Sequence, residues 1–506
     1  MINFMDKYVK KILEANVYDV AYQTPLEVAS NLSARLGATV LLKREDLQPV
    51  FSFKVRGAYN KISQLSEASK ARGVVTASAG NHAQGVALAA TRLGIEAHIV
   101  MGENTPSIKT NAVRSFGGKV ILYGDSYDEA AVHAASLAKE HGYTYVHPFD
   151  DEDVIAGQGT IGMEILRQHT SSLDLIYVPV GGGGLISGIG AYVKYLRPGT
   201  KIIGVECDGS DAMRRALAAG KRISLKADEL DQFADGTAVR QVGKKTFELA
   251  SRVVDEVITV SIDEICAAIK DIFEDTRVIA EPAGALAVAG AKNHIKRGQT
   301  AAALVTGANV NFDRLRHISE RTEVGEKREI LLGVTIPEKP GSFRRFCSII
   351  GKRSITEFNY RFADQASAQV LVGIQTVPGE DRQRLIDRLA RHYPVVDLSA
   401  NEVAVLHVRH MVGGVADIGD EKLYRFDFPE KPGALLKFLT VLGNGFNISM
   451  FHYRNHGAAY GRVLVGIQVP GQQQEQFERQ LENIEYRYWN ESTNPAYYQF
   501  LRAHDW

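Results

Sequence analysis

The pentapeptide Pro-Glu-Lys-Pro-Gly occurs twice in this chain, at 337–341 and at 429–433, and each occurrence heads a longer echo. Tyr360-Arg361 recurs as Tyr453-Arg454, and Val370-Leu-Val-Gly-Ile-Gln375 recurs as Val463-Leu-Val-Gly-Ile-Gln468. The first match is shifted by 429 − 337 = 92 residues and the later ones by 453 − 360 = 93, so one residue is inserted between the matching blocks. A repeat of this length is a folded unit copied. Each copy reads strand, Pro-Gly turn, helix, two strands, helix, which is a small α+β module of ferredoxin-like type. Two such modules occupy only the last third of 506 residues, and a single core stops growing at roughly 250–300 residues, so a separate domain must precede them. The duplication leaves two uses open: a scaffold that joins subunits, or a pair of ligand sensors.

That preceding domain has a different rhythm. From Ala38 to Asn311 short apolar runs alternate with longer helical patterns, as when strands are covered on both faces by crossover helices. An open parallel α/β sheet is expected, with strands at Val74–Ser78, Ala97–Met101, Lys119–Tyr123, Leu173–Val180, Lys201–Glu206 and Ala302–Thr306. The uncharged stretch Leu175–Val193 imitates a membrane span, but Pro179 and Gly181 to Gly184 break it in the middle, so it reads as strand, turn and helix start. Lys plus Arg and Asp plus Glu both number 59. This balance gives no electrostatic case for nucleic acid or an anionic membrane and points to a small molecule or a second copy of the chain as partner. Cys207, Cys266 and Cys347 are scattered and form no CxxC pair, which suggests a reducing compartment and no zinc site. The first twenty residues lack the apolar core of a secretory signal, so a cytoplasmic protein is expected.

Ligands of open α/β sheets bind just beyond the carboxyl ends of strands. Three turn-rich segments lie there: Ser78-Ala79-Gly80-Asn81-His82, Gly181-Gly182-Gly183-Gly184 and Thr306-Gly-Ala-Asn309. Four glycines between a strand and a helix let the backbone approach an anion, and the helix start supplies N–H groups, so a phosphate fits; glycine runs also serve plain tight turns. The dinucleotide pattern GxGxxG fails here, because Ile186 or Ser187 stands where its third glycine belongs, and no GxxxxGK[ST] is present. A nicotinamide-dependent oxidoreductase retains one attraction in Glu206, placed where an acid could bind a ribose. Lys54, in Ser52-Phe-Lys-Val-Arg-Gly57, is an ordinary surface lysine or, if desolvated, an amine able to form a Schiff base or act as a base. A lysine with a phosphate cradle is what a phosphorylated aldehyde cofactor requires. The Ser78–His82 loop can receive a carboxylate on its hydroxyl and N–H groups while the Asn81 amide reaches a ring hydroxyl, or it simply caps a helix. It is no hydrolase elbow, since GxSxG needs glycine where Thr76 stands. Asp235 and Glu281 by themselves are turn residues.

Ser52-Phe-Lys-Val-Arg-Gly57, Ser78-Ala-Gly-Asn-His82, Gly181-Gly-Gly-Gly-Leu185 and Thr306-Gly-Ala-Asn309, in that order, resemble the fold-type II pyridoxal-phosphate enzymes and, within them, biosynthetic threonine dehydratase. The resemblance covers essentially the whole chain. It implies a tryptophan-synthase-beta-like catalytic domain at 1–313, a connector at 314–329 and ACT-like regulatory domains at 330–401 and 422–495. It further implies pyridoxal 5'-phosphate bound through Lys54, with Asn81 on its ring hydroxyl, Gly181–Gly184 and Leu185 around its phosphate, and Thr306 at its pyridine nitrogen. Thr306 departs from the family's usual serine while keeping the hydroxyl. The loop Ser78, Ala79, Gly80, Asn81 and His82 would bind the substrate. The activity implied is that of a threonine ammonia-lyase: L-threonine loses water and then ammonia to give 2-oxobutanoate, with Lys54 as the base for the alpha-proton. Isoleucine as inhibitor, valine as its opponent and a homotetramer follow from the same resemblance. A serine dehydratase, a serine racemase and a non-catalytic amino-acid-binding protein are the alternatives.

Overall fold

The computed structural model describes residues 2–501 apart from 125, 227–228, 313, 326–328, 352, 363–365, 377–381, 400, 402–403, 405–407, 411–415, 430–432, 444, 455–459, 495–496 and 498–500. Part of the expected connector, 326–328, and the middle of the second Pro-Glu-Lys-Pro-Gly, 430–432, therefore lie outside the described residues. The chain divides into two compact units, Met1–Gly325 and Glu326–Trp506.

The first unit contains the strands β1 (Leu26–Val28), β2 (Thr39–Arg44), β3 (Val74–Ala77), β4 (Ala97–Met101), β5 (Lys119–Leu122), β6 (Thr144–Tyr145), β7 (Leu175–Pro179), β8 (Lys201–Cys207), β9 (Glu256–Val260) and β10 (Thr300–Val305). They form two sheets, one ordered β1-β2-β10-β7-β8-β9 and the other β5-β4-β3-β6. Every pairing is parallel except that of β1 with β2. The larger sheet is buried on both faces, as its uninterrupted apolar strands require. Along β7, Ile176 and Val178 enter one apolar cluster while Leu175 and Tyr177 enter the other; along β10, Ala302 and Leu304 oppose Ala301, Ala303 and Val305. The stretch that imitated a membrane span is β7, a glycine turn and the helix Gly184–Leu196. No helix of the described residues is long and apolar enough to cross a membrane. Residues 314–325 form a helix whose Ile318 is buried in the first unit.

The second unit adds β11 (Glu329–Pro337), β12 (Ile355–Arg361), β13 (Ser367–Gln375), β14 (Val395–Asp397), β15 (Glu421–Pro429), β16 (Asn447–Arg454), β17 (Tyr460–Gln468) and β18 (Arg487–Asn490). They make one sheet in the order β14-β11-β13-β12-β16-β17-β15-β18. Each copy of the repeat supplies half of it, and the halves join where β12 and β16 run antiparallel. In that register Asn359 faces His452, its own counterpart at 452 − 359 = 93, so the seam carries a local twofold relation. The short closing strands β14 and β18 escape a sequence reading because they are largely exposed and show no apolar alternation. Alternate residues Ile330, Leu332, Val334 and Ile336 of β11 face one shared core with Phe346 and Phe438 from the helices that follow the Pro-Gly turns.

A buried ionic cluster fixes the part of the first unit that matters for chemistry. Arg56, on the helix Lys54–Ser63, is fully buried and donates to Glu45 Oε1 and Oε2 at 2.8 Å and to Glu164 Oε1 at 2.6 Å. Its remaining hydrogens go to Thr160 Oγ1 at 3.1 Å and the Tyr22 carbonyl at 2.9 Å. Lys43, also buried, meets Glu164 at 2.6 Å, so two cations and two carboxylates balance. Removing one member of such a cluster strands a charge away from water. Arg56→Met should therefore destabilise the first unit by about 3–5 kcal/mol, read as a lower urea midpoint of its unfolding transition. An unchanged midpoint would mean that the cluster is not closed to water.

Candidate active site

The carboxyl ends of β3, β7 and β10 converge on one cleft of about 530 Å³, although β3 belongs to the smaller sheet and the other two to the larger. Lys54, Asn81, Gly181 to Gly184, Leu185 and Thr306 all line it, together with Phe149, Gln158, Thr237 and Glu281.

Lys54 opens its helix because the residues before it are stitched to the loop after β10. Ala308 N–H donates to the Phe51 carbonyl at 2.9 Å, Ser52 bridges Gly307, and Phe53 N–H donates to the Thr306 carbonyl at 3.3 Å. Phe51 adopts a left-handed φ of 54°, which a non-glycine residue tolerates only where its surroundings hold it. The Lys54 amine donates to the Pro148 carbonyl at 3.0 Å. Burial lowers its pKa to about 8, against a smaller opposing pull from Glu281. It is thus an amine that gives up its proton within reach of neutral pH, which a surface lysine does not.

The glycine loop has no room for side chains. A Cβ on Gly182 would run into the Phe149 ring, one on Gly181 would stand 3.0 Å from the Thr237 Cα, and one on Gly184 3.0 Å from the Phe149 carbonyl. Gly183, at φ +92°, sits where an L side chain is strained, and it caps the helix Gly184–Leu196. The first N–H groups of that helix have no acceptor within it and carry the positive end of its dipole. Backbone this bare at a helix start is suited to a phosphate.

Asn81 begins the helix Asn81–Arg92. Its amide donates to Glu281 Oε1 at 2.6 Å and accepts from Asn309 Nδ2 at 2.7 Å, which orients its oxygen and nitrogen without ambiguity. Glu281, left as a turn residue by its sequence, is buried in the cleft; burial first, and then repulsion from Asp235, raise its pKa to about 7. Asp235 itself pairs with Lys109 at 2.8 Å. The Thr306 hydroxyl donates to the Ala283 carbonyl at 3.3 Å, a long bond from which its rotating hydrogen can turn to an acceptor in the cleft. Ser78 Oγ accepts from Gly80 N–H at 3.2 Å, while Ser78, Ala79 and Gly80 stay partly open beside Asn81. His82 is buried and donates through Nε2 to the Val146 carbonyl at 3.0 Å; burial above all, with Lys54 adding to it, depresses its pKa to about 3, so it stays neutral.

Glu206 is engaged elsewhere. It accepts the N–H groups of Met213 and Arg214, both at 2.9 Å, and so caps the helix Ala212–Ala219 rather than waiting for a ribose. The three cysteines are buried and unpaired. Sequence reasoning singled out neither Phe149 nor Gln158. The signal for the second was there: Ala156-Gly-Gln-Gly159 sets one polar side chain among small residues in a buried helix.

An amine of lowered pKa, a side-chain-free anion cradle and an oriented amide answer three separate needs of pyridoxal phosphate: its aldehyde, its phosphate and its ring hydroxyl. The bare glycine loop and the buried, unpartnered amide of Gln158 leave polar capacity for such a group, so the residues fit it.

Comparison with known proteins agrees. Residues 17–307 match the family described as pyridoxal-phosphate dependent enzyme. Residues 320–408 and 412–501 each match the C-terminal regulatory domain of threonine dehydratase. A biosynthetic L-threonine dehydratase of Burkholderia multivorans is 54% identical over 98% of this chain and 99% of its own length. That of Escherichia coli is 50% identical over 98% and 97%. Among solved structures, a processed threonine deaminase isoform from Solanum lycopersicum shares 48% identity over 64% of this chain and 89% of its own, with a TM-score of 0.62. A maize serine racemase matches with 33% identity over 61% of this chain and 95% of its own, with a TM-score of 0.57. With a fold-type II catalytic unit followed by two regulatory repeats, the chain belongs to the pyridoxal-phosphate-dependent enzymes and, within them, to the biosynthetic threonine dehydratases.

Proposed function

We propose that this chain is a threonine ammonia-lyase that converts L-threonine into 2-oxobutanoate and ammonia, the entry step of isoleucine synthesis. The observation that carries this reading is the lowered pKa of Lys54 inside a cleft that also holds the glycine cradle and Asn81. Pyridoxal phosphate, when bound, supplies the electron-withdrawing system that makes the substrate's Cα–H bond acidic. The remaining work falls to the protein. Gly181–Gly184 and Leu185 hold the phosphate through backbone N–H groups. Asn81, fixed by Glu281 and Asn309, holds the ring hydroxyl. Thr306 would offer the pyridine nitrogen a neutral hydroxyl rather than a carboxylate. Lys54 would hold the cofactor by its aldehyde, and its Nζ is the group that would take the alpha-proton. The loop Ser78–His82 receives the substrate carboxylate on its hydroxyl and N–H groups.

In this reading 1–313 is the catalytic domain, 314–329 the connector, and 330–401 and 422–495 the ACT-like domains. The enzyme works as a cytoplasmic homotetramer, in which isoleucine inhibits and valine opposes it. The helices that start after Gly341 and Gly433 offer their first N–H groups to an effector carboxylate.

Borohydride reduction of the protein loaded with pyridoxal phosphate, followed by peptide mapping, should fix the cofactor on Lys54. A label on any other lysine rejects the assignment. Lys54→Ala should lower 2-oxobutanoate formation by at least about 10²–10⁴-fold, the usual contribution of a proton-transferring group.

The same lysine predicts a pH dependence. In the cofactor-free protein its amine is protonated below about 8 and reactive above it, so capture of pyridoxal phosphate should accelerate with a midpoint near 8 instead of the ordinary 10.5. Glu281 raises that value, so Glu281→Gln should move the midpoint to lower pH. A parent midpoint near 10.5 would mean that the amine is hydrated like any surface lysine.

The tail predicts a kinetic signature. Coupling between two ligand sites is typically about 1–3 kcal/mol, enough to make threonine saturation sigmoidal in isoleucine and to restore a hyperbola when valine is added. Hyperbolic kinetics unaffected by millimolar isoleucine would leave the repeats as an assembly scaffold.

A further inference from the structure

Gln158 lines the cleft and has no part in the assignments above. It stands on the helix Glu152–Gln168 with 1% of its surface exposed, and among the described residues neither Oε1 nor Nε2 has a hydrogen-bond partner. Buried polar side chains are nearly always paired, and leaving one unpaired is destabilising, so this amide marks a place where a partner belongs. The chain is shaped to keep it. A Cβ on Gly57, the last residue of the Lys54 motif, would collide with Gln158 Nε2 and stand 2.7 Å from the Val154 carbonyl. A Cβ on Gly157 would lie 2.7 Å from the Arg56 carbonyl. On the other side, a Cβ on Gly188 would stand 2.8 Å from the Gly159 nitrogen. These bare contacts draw the helix that starts at Lys54 and the helix that starts at Gly184 against the turn that bears Gln158. Its side chain thus lines the cleft that also holds the reactive amine and the anion cradle.

Asn81 and Glu281, which also line the cleft, already bond each other, and Asn309 holds Asn81 in turn. Beside the glycine loop the available chemistry is donation to an anion. A neutral amide can donate hydrogens there without adding a charge that would shift the Lys54 amine, as a carboxylate or a second cation would.

We propose that the Gln158 amide is a side-chain hydrogen-bond donor to the phosphate of pyridoxal phosphate, supplementing the backbone N–H groups of Gly181–Leu185. The proposal rests on the reading of the cleft as the site of that cofactor. Its test compares full-length parent, Gln158→Leu and Gln158→Glu. Cofactor loss from each holoenzyme is followed by absorbance, and pyridoxal phosphate and its dephosphorylated form pyridoxal are then titrated back. Gln158→Leu should weaken pyridoxal phosphate about 10- to 100-fold, the range for a hydrogen bond to a charged group, and leave pyridoxal within about twofold. Gln158→Glu, nearly isosteric but of like charge to the phosphate, should weaken it at least as much. Because Leu removes an unpaired buried amide, the cofactor-free Gln158→Leu protein should melt no lower than the parent, which a structural role would not allow. Equal losses for both ligands, no loss for either, or a raised threonine KM with unchanged cofactor affinity would each overturn the inference. If Gln158→Leu fails to fold, the ratio of the two affinities in Gln158→Glu decides alone. A parent that binds no pyridoxal phosphate would instead reject the reading of the cleft.

Discussion

A guanidinium sealed from water holds the catalytic unit's working helix in place. Arg56 stays charged in the interior because Glu45 and Glu164 neutralise it and Thr160 and the Tyr22 carbonyl take its other hydrogens. Arginine cannot shed its proton to escape burial, so any slide or rotation of the helix would strand a charge. Two residues earlier on the same helix, Lys54 meets the same low-dielectric interior with the opposite outcome. Among the described residues no carboxylate pairs with it; its amine donates to the Pro148 carbonyl, and burial drives it towards neutrality. The motif Ser52–Gly57 therefore sets one cation that must remain charged beside one that must be able to discharge. Its closing glycine has a third duty, which is to leave space for the neighbouring helix and its glutamine.

Much of this was legible in the order of residues. The six expected strands all occur, since an uninterrupted apolar run bounded by turns has little else to become. Lys54, Asn81, the four glycines and Thr306 share one cleft because each lies at the carboxyl end of a strand or is stitched to one that does. Periodicity carries no information about which strand pairs with which. Hence it could not show that β3 and β7 lie in different sheets, and that the cleft is where two sheets meet. Glu281 was equally opaque. Its carboxylate acquires meaning only from Asn81, 200 residues away in sequence, and from the burial that raises its pKa. Glu206 shows the reverse error, an acid at a plausible strand end whose two oxygens are consumed by a helix start.

The repeats were the firmest reading of the sequence and are also where the structure adds most. Their strands merge into a single sheet, and the pairing of Asn359 with His452 places a twofold relation on the seam. Such a seam has the form of a homodimer interface, here closed within one polypeptide. In a homodimer every substitution appears on both sides of the axis at once; after duplication and fusion it appears on one. The chain has used that liberty. Tyr497 donates to Glu421, whereas the residues 93 and 92 positions earlier, Ala404 and Val405, have no hydroxyl to offer the equivalent Glu329. Two halves that inherited one shape can in this way come to differ in what each side of the axis presents, which a symmetric pair of separate chains cannot do.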